Sequence, residues 1–140
     1  MIGAPWPEPI ATTSGESAAA ILRQLWLEAE RVEAVVTDPE RLRDLVSPHR
    51  LGEGPRHVRI VCGTHLPSSL PKSWHCTLSD RMPMPDLLLF YRHGSSFPDS
   101  AMVFTGGIGS RAWVTYYRRP VVLHHLRQRF QQLVEDEAHR

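Results

Sequence analysis

The feature that most limits how this chain can fold lies in its last third. Three short apolar runs, at residues 86–92, 101–105 and 111–117, are parted by turn residues at 94–99 and 106–110. Runs of that length bounded by turn signals read as strands of a meander. From Pro120 the period changes. Val122, Leu126, Phe130 and Leu133 fall on one helical face, widened by Leu123 and Val134, so the chain closes on an amphipathic helix. This block is a scaffold, and it carries no obvious reactive centre.

The segments before it supply the rest of a domain. Residues 1–12 hold Pro5, Pro7 and Pro9 around Trp6 and read as an extended, mobile arm, which sets the domain proper at residues 13–140. Thr13 and Glu16 have the spacing of a capping box. Ala18, Leu22, Leu25, Ala29, Val32 and Val36 then recur at steps of four and three, predicting one long amphipathic helix. Asp38-Pro39 restarts the chain with an N-cap and a proline at the first helical position, and Leu42, Leu45 and Val46 give a short second helix its buried face. Pro48, Gly52, Gly54 and Pro55 mark a loop. Val58, Ile60 and Cys62 alternate as a strand, a brief strand follows at residues 74–78, and the prolines at 83 and 85 predict an edge or crossing segment. The expected fold is α+β: two N-terminal helices, a mainly antiparallel sheet of about five strands, and a C-terminal amphipathic helix.

A chain of 140 residues buries a real core without disulfides or metal. Its formal net charge of +1 offers no bulk attraction to nucleic acid or anionic membrane, so such binding would need a local patch. Lys72 is the only lysine beside fifteen arginines, a bias of the kind GC-rich coding imposes, and it points to a bacterial source. The start has neither a basic region nor an apolar run, and no stretch reaches the ~20 apolar residues of a membrane span. The expected address is cytoplasmic, where Cys62 and Cys76 stay reduced.

Several constellations invite chemistry. Cys62, His65, His75 and Cys76 are soft ligands of the kind zinc takes. Adjacent strand residues point to opposite faces, however, so His75 and Cys76 are poorly placed to share one ion, and no metal is expected. The same His65, His75 and Cys76, with Asp80, supply residue types for a small hydrolase or transferase, whose nucleophile, base and orienting acid must meet in space. The glycines at 106, 107 and 109 suggest a phosphate loop, but a strand pattern follows them where a phosphate cradle needs a helix. A hairpin turn explains them better. Arg111, Arg118, Arg119, Arg127 and Arg129 lie near Trp113, Tyr116 and Tyr117 as a basic patch with stacking groups. With Glu135, Asp136 and Glu137 close in sequence, the solvated face of a strand and helix is the favoured reading, and nucleic acid is an unlikely partner. The first helical seam is suited to packing on the sheet or to a homodimer contact.

The order Val35-Val36-Thr37-Asp38-Pro39, the strand at 58–61, the Leu66-Pro67 turn, the run at 77–81 with Asp80-Arg81, and the terminal Phe130-Gln131-Gln132-Leu133-Val134 resembles the phospholipase D-like sensor domains of bacterial transcription regulators. That resemblance implies a regulatory role, with Asp80-Arg81 at a strand edge. It also implies a lost active site, because Lys72 has Leu70 two residues before it where the family's catalytic motif has histidine. The sequence therefore predicts a non-catalytic adaptor that binds a protein, or a small ligand, in a regulatory or defence pathway, with no cofactor and no membrane contact. Trp74, Asp80, Arg81, Trp113, Tyr116 and Arg118 are the candidate contact residues, since aromatics and arginine anchor interfaces.

Overall fold

Alternation at residues 31–36 decides the architecture. Val32, Ala34 and Val36 enter one core and Val35 enters another, the two-faced burial of a central strand. The computed structural model describes residues 11–13, 16–46, 54–63, 70–79, 85–105 and 114–138. In chain order these form β1 (Ala11–Thr13), α1 (Glu16–Glu28), β2 (Arg31–Val35), α2 (Pro39–Leu45), β3 (His57–Cys62), β4 (Trp74–Leu78), β5 (Asp86–Tyr91), β6 (Ser100–Phe104), β7 (Val114–Tyr117) and α3 (Pro120–Ala138). The fold is α+β. One seven-stranded sheet runs in the order β1-β7-β6-β5-β2-β3-β4. From β1 to β2 every neighbouring pair is antiparallel, whereas β2–β3 and β3–β4 are parallel.

Helices cover both faces. On one, Leu22 and Trp26 of α1 and Leu42 of α2 pack with Val58, Ile60, Leu88, Phe90, Met102 and Phe104. On the other, Leu123, Phe130 and Leu133 of α3 pack with Val61, Leu87, Leu89 and Tyr91. β5 is buried at all its positions, as expected of a strand covered on both sides. At 13 residues α1 is near the length at which isolated helices are marginal in water. Burial of Leu22 and Trp26, worth about 2 kcal/mol each, therefore holds it. α2 has local help: the Asp38 carboxylate accepts from the Glu40 and Arg41 N–H groups at 3.2 and 3.4 Å, and Pro39 follows.

Three expectations are corrected here. The first helix stops at Glu28 and does not run to Val36. The Ala29 N–H still bonds the Leu25 carbonyl, but the Glu30 N–H donates to Tyr91 at 2.8 Å, and the chain leaves the helix for the sheet. Val32 and Val36 fit both periods, and pairing with β3 and β5 selects the strand. Thr13 belongs to β1 opposite Val114 and does not cap α1. The sheet has seven strands, with a parallel half that the meander did not reveal. Of the two readings of the first helical seam, packing on the sheet or a homodimer contact, the structure has Leu22 and Trp26 packed on the sheet. No helix among the described residues is long and apolar enough to cross a membrane.

Candidate functional site

An open groove of about 930 Å³ lies where the β5–β6 turn meets the start of α3. One wall is residues 94–99, and the other holds Arg118, Pro120, Val121, Leu123 and His124. The turn is rigidly tied. Gly94 sits at φ +79°, which L side chains rarely adopt, and Ser95 N–H bonds Arg92 O at 3.0 Å. The Asp99 carboxylate accepts the Arg92 N–H at 2.7 Å. Phe97 stands out of this turn, about half exposed, with its ring 5.8 Å from that of His124 and the Arg127 guanidinium 4.7 Å above it. Val121 is exposed on the lip of the groove.

Charge is unevenly spread around this groove. No aspartate or glutamate occurs between Asp99 and Glu135, while Arg111, Arg118, Arg119, Arg127 and Arg129 all fall in that interval. Arg118, Arg119 and Arg129 are exposed. The acids Glu135 and Asp136 lie about 22 Å along α3 from its start, well beyond a Debye length from Arg118 and Arg119 in physiological salt, although only about 9 Å of helix from Arg129. The arrangement opposes the helix dipole, which favours acids at the N-terminus and bases at the C-terminus. α3 has neither. Helix stability therefore does not account for these arginines, and the result is a cationic surface at the β7–α3 junction.

Beneath it, on the α3 face of the sheet, lies a buried polar cluster. Tyr91 donates its hydroxyl to the Glu33 carboxylate, and the Arg31 guanidinium stacks 3.9 Å above the Tyr91 ring. Burial, the bond to Glu33 and the charge of Glu33 all push the Tyr91 hydroxyl well above the ordinary tyrosine range, and Arg31 and Arg127 oppose this. The Arg127 Nε is buried without a hydrogen-bond partner among the described residues. At the same end of the sheet, the His93 ring meets the Glu30 carboxylate at 3.0 Å and holds its pKa below the usual carboxylate value.

The residues singled out from sequence scatter. Arg118 lies in the groove wall. Trp74, expected on the surface, is instead buried under α1, tilted against Trp26 at a ring separation of 5.3 Å; its place on β4 turns it to the α1 face. Tyr116 is half-buried against the same core. Asp80, Arg81, Trp113 and His65 lie outside the described residues. His75 and Cys76 take opposite faces of β4: His75 is exposed, and Cys76 packs toward the α1 core. His75 and Cys76 thus share no face on which to act together. Burial raises the Cys76 thiol to about 11 and also raises Cys62, the reverse of an activated nucleophile. No cluster of three or more His, Cys, Asp or Glu among the described residues is placed to hold a metal ion. Sequence reasoning grouped Arg118, Arg119, Arg127 and Arg129 as a basic patch but set it aside as a solvated face, and it missed Phe97 and His124, which line the groove with Arg118.

No family model matches the chain, and no curated protein matches it. Its fold is similar to a solved structure of TrmBL2, an archaeal chromatin protein described as showing a novel mode of DNA binding, with a TM-score of 0.60 and 10% identity. The match covers 94% of this chain and 51% of that one, so the chain spans about half the length of the structure it matches. At this identity the likeness shows a shared fold. It corrects the sequence reading in three respects. The expected resemblance to phospholipase D-like sensor domains finds no family match, and the fold is shared with a chromatin protein. The protein- or small-ligand adaptor function loses its support, because it rested on that resemblance. Nucleic acid, set aside as an unlikely partner on net charge, is what the protein of shared fold binds.

Proposed function

We propose that this chain is a DNA-associating domain whose contact with the phosphate backbone is the cationic surface at the β7–α3 junction. The observation that carries the reading is the exposed pair Arg118 and Arg119 at the start of α3, with Arg118 beside His124 in the groove wall and Arg129 exposed further along the helix, in an interval of sequence without acids. The shared fold with a DNA-binding chromatin protein supports it. Arginine suits the role because its planar fork pairs two phosphate oxygens at once. A surface of a few arginines positions a duplex without reading its sequence, so the contact is weak, general and salt-sensitive. The function implies an address in the compartment that holds the DNA.

Fluorescence anisotropy with a labelled 30-bp duplex tests this. Three phosphate contacts give a log–log salt slope of about −2.7, hence a roughly 40-fold loss of affinity between 50 and 200 mM salt. Arg118→Ala with Arg119→Ala should flatten the slope by about 1.8 and weaken unrelated duplexes equally. Absence of binding at 50 mM salt and 50 μM protein, or a double variant with the wild-type slope, overturns the reading.

A further inference from the structure

The two edges of the sheet are unlike. β1 is three residues long, and short edges resist pairing. β4 at the other edge is a full strand, bonded to β3 and, among the described residues, to no strand on its outer side. Natural edge strands are blunted by proline, lysine, an inward charge or a bulge. Trp74-His75-Cys76-Thr77-Leu78 contains no proline, lysine or carboxylate, and its register against β3 runs without interruption.

Two hydrogen bonds set which of its backbone groups face outward. Val58 N–H donates to Ser73 O at 3.3 Å, and Ser79 N–H donates to Cys62 O at 2.8 Å. In a ladder, alternate residues turn both polar groups to the same neighbour. His75 and Thr77 therefore serve β3, and Trp74, Cys76 and Leu78 turn theirs away from it. The Trp74 N–H is taken by the Pro71 carbonyl at 3.0 Å. The outward set is then the Trp74 carbonyl and both groups of Cys76 and Leu78.

We propose that β4 pairs antiparallel with β4 of a second copy, about a two-fold axis through Cys76, to make one continuous sheet. In this register each Cys76 exchanges a reciprocal pair of hydrogen bonds with the partner's Cys76, and each Leu78 N–H reaches the partner's Trp74 carbonyl. Both groups of Cys76, the Leu78 N–H and the Trp74 carbonyl thus meet outward groups, as a self-complementary two-fold contact requires; the Leu78 carbonyl alone faces a group already taken, the partner's Trp74 N–H held by Pro71. Side chains agree as well. Leu78, 44% exposed in the single chain, comes to lie beside the partner's Trp74 on the apolar α1 face. His75 meets the partner's Thr77 on the other face, and no carboxylate, lysine or arginine is set against its like. This self-match selects a second copy over an unrelated extended peptide.

The register also provides its own reporter. Hydrogen-bonded residues directly opposite each other have Cα atoms about 5.5 Å apart, inside the ~4.4–6.8 Å that a disulfide spans. Cys62 is paired with Leu78 and not with Cys76. Strand spacing and rise put it roughly 8 Å from Cys76, beyond an unstrained bridge. An oxidised Cys76 therefore reports the partner.

The test is sedimentation equilibrium of the full chain at 5–100 μM without DNA, with diamide oxidation at pH 8.5 and peptide mapping. A dimer joined Cys76 to Cys76 is expected, unchanged by Cys62→Ser. Leu78→Lys should shift the protein to monomer and reduce the cross-link at least tenfold. Thr77→Lys, on the opposite and exposed face, should do the same if Leu78→Lys fails to fold by circular dichroism. A monomer throughout the range overturns the proposal. So does a dimer that neither lysine disrupts, or one without a Cys76 cross-link.

Discussion

Tyr91→Phe removes one oxygen from the sheet interior, and its consequences can be worked out. Tyr91 is 1% exposed and Glu33 8%, and the hydroxyl is the donor recorded for the Glu33 carboxylate. Phenylalanine keeps the ring under Arg31, so packing and the cation–π contact survive. A buried acceptor deprived of a donor to a charged group costs about 1.5–3 kcal/mol. For a chain of this size, about 2 kcal/mol lowers Tm by roughly 6–10 °C. Alkaline pH then supplies a second, independent signature. The folded-state pKa of Tyr91 is raised, so its contribution is fully present below the unfolded value near 10 and fades as pH climbs toward the folded one. At pH 10.5 the unfolded wild type gains about 0.8 kcal/mol from ionising this tyrosine, whereas the phenylalanine variant gains nothing there. Urea unfolding at pH 7 and pH 10.5 should therefore show a gap of about 2 kcal/mol that narrows by about 0.8. A gap under ~0.5 kcal/mol at pH 7 would mean that the hydroxyl bond carries no net stability. An equal gap at both pH values would mean that Tyr91 titrates normally.

Two further outcomes follow from local geometry. A Cβ added at Gly54 would stand 2.5 Å from the Trp26 Nε1 and 2.9 Å from its Cδ1, in a ring already pressed on Trp74, so Gly54→Ala should lower the urea midpoint by the equivalent of about 1–3 kcal/mol; a midpoint at wild type refutes the close approach. In His93→Ala the Glu30 carboxyl loses its hydrogen bond and neighbouring charge and should titrate at higher pH in a carbon-detected NMR series, so that whatever stability the pair supplies, lost in wild type as pH falls through the lowered value, disappears; an unmoved curve refutes the pairing.

Local signals carried the C-terminal half well. The runs around Leu88 and Met102 and the helix through Phe130 lie where apolar pattern and turn residues put them, because a meander pairs segments adjacent in the chain. Asp38-Pro39 marked the start of α2 for an equally local reason, a cap that needs only the next three residues. Residues 31–36 failed because Val32 and Val36 satisfy helix and strand spacing alike, and the arbiters were β3 and β5, pairings remote in sequence. Trp74 failed through face assignment: its alternation on β4 was read, but the helix lying over that face could not be. The basic interval was read but set aside, because Glu135, Asp136 and Glu137 stand close to it in sequence and the net charge is only +1. The helix puts those acids about 22 Å from Pro120, where Arg118 and Arg119 lead into it.

The pairing of β1 with β7, Ala11 opposite Tyr116 and Thr13 opposite Val114, has a consequence for biogenesis. The first strand described waits on the ribosome until residues 114–117, about a hundred positions later, have been made. At roughly 5–20 residues per second that is a delay of several seconds. During it the parallel strands β2, β3 and β4 can gather under α1 and α2, but β2 lacks its antiparallel neighbour until residues 86–91 emerge. The nascent N-terminal half is thus a sheet with both margins open, and the last hairpin and α3 close it from one side only.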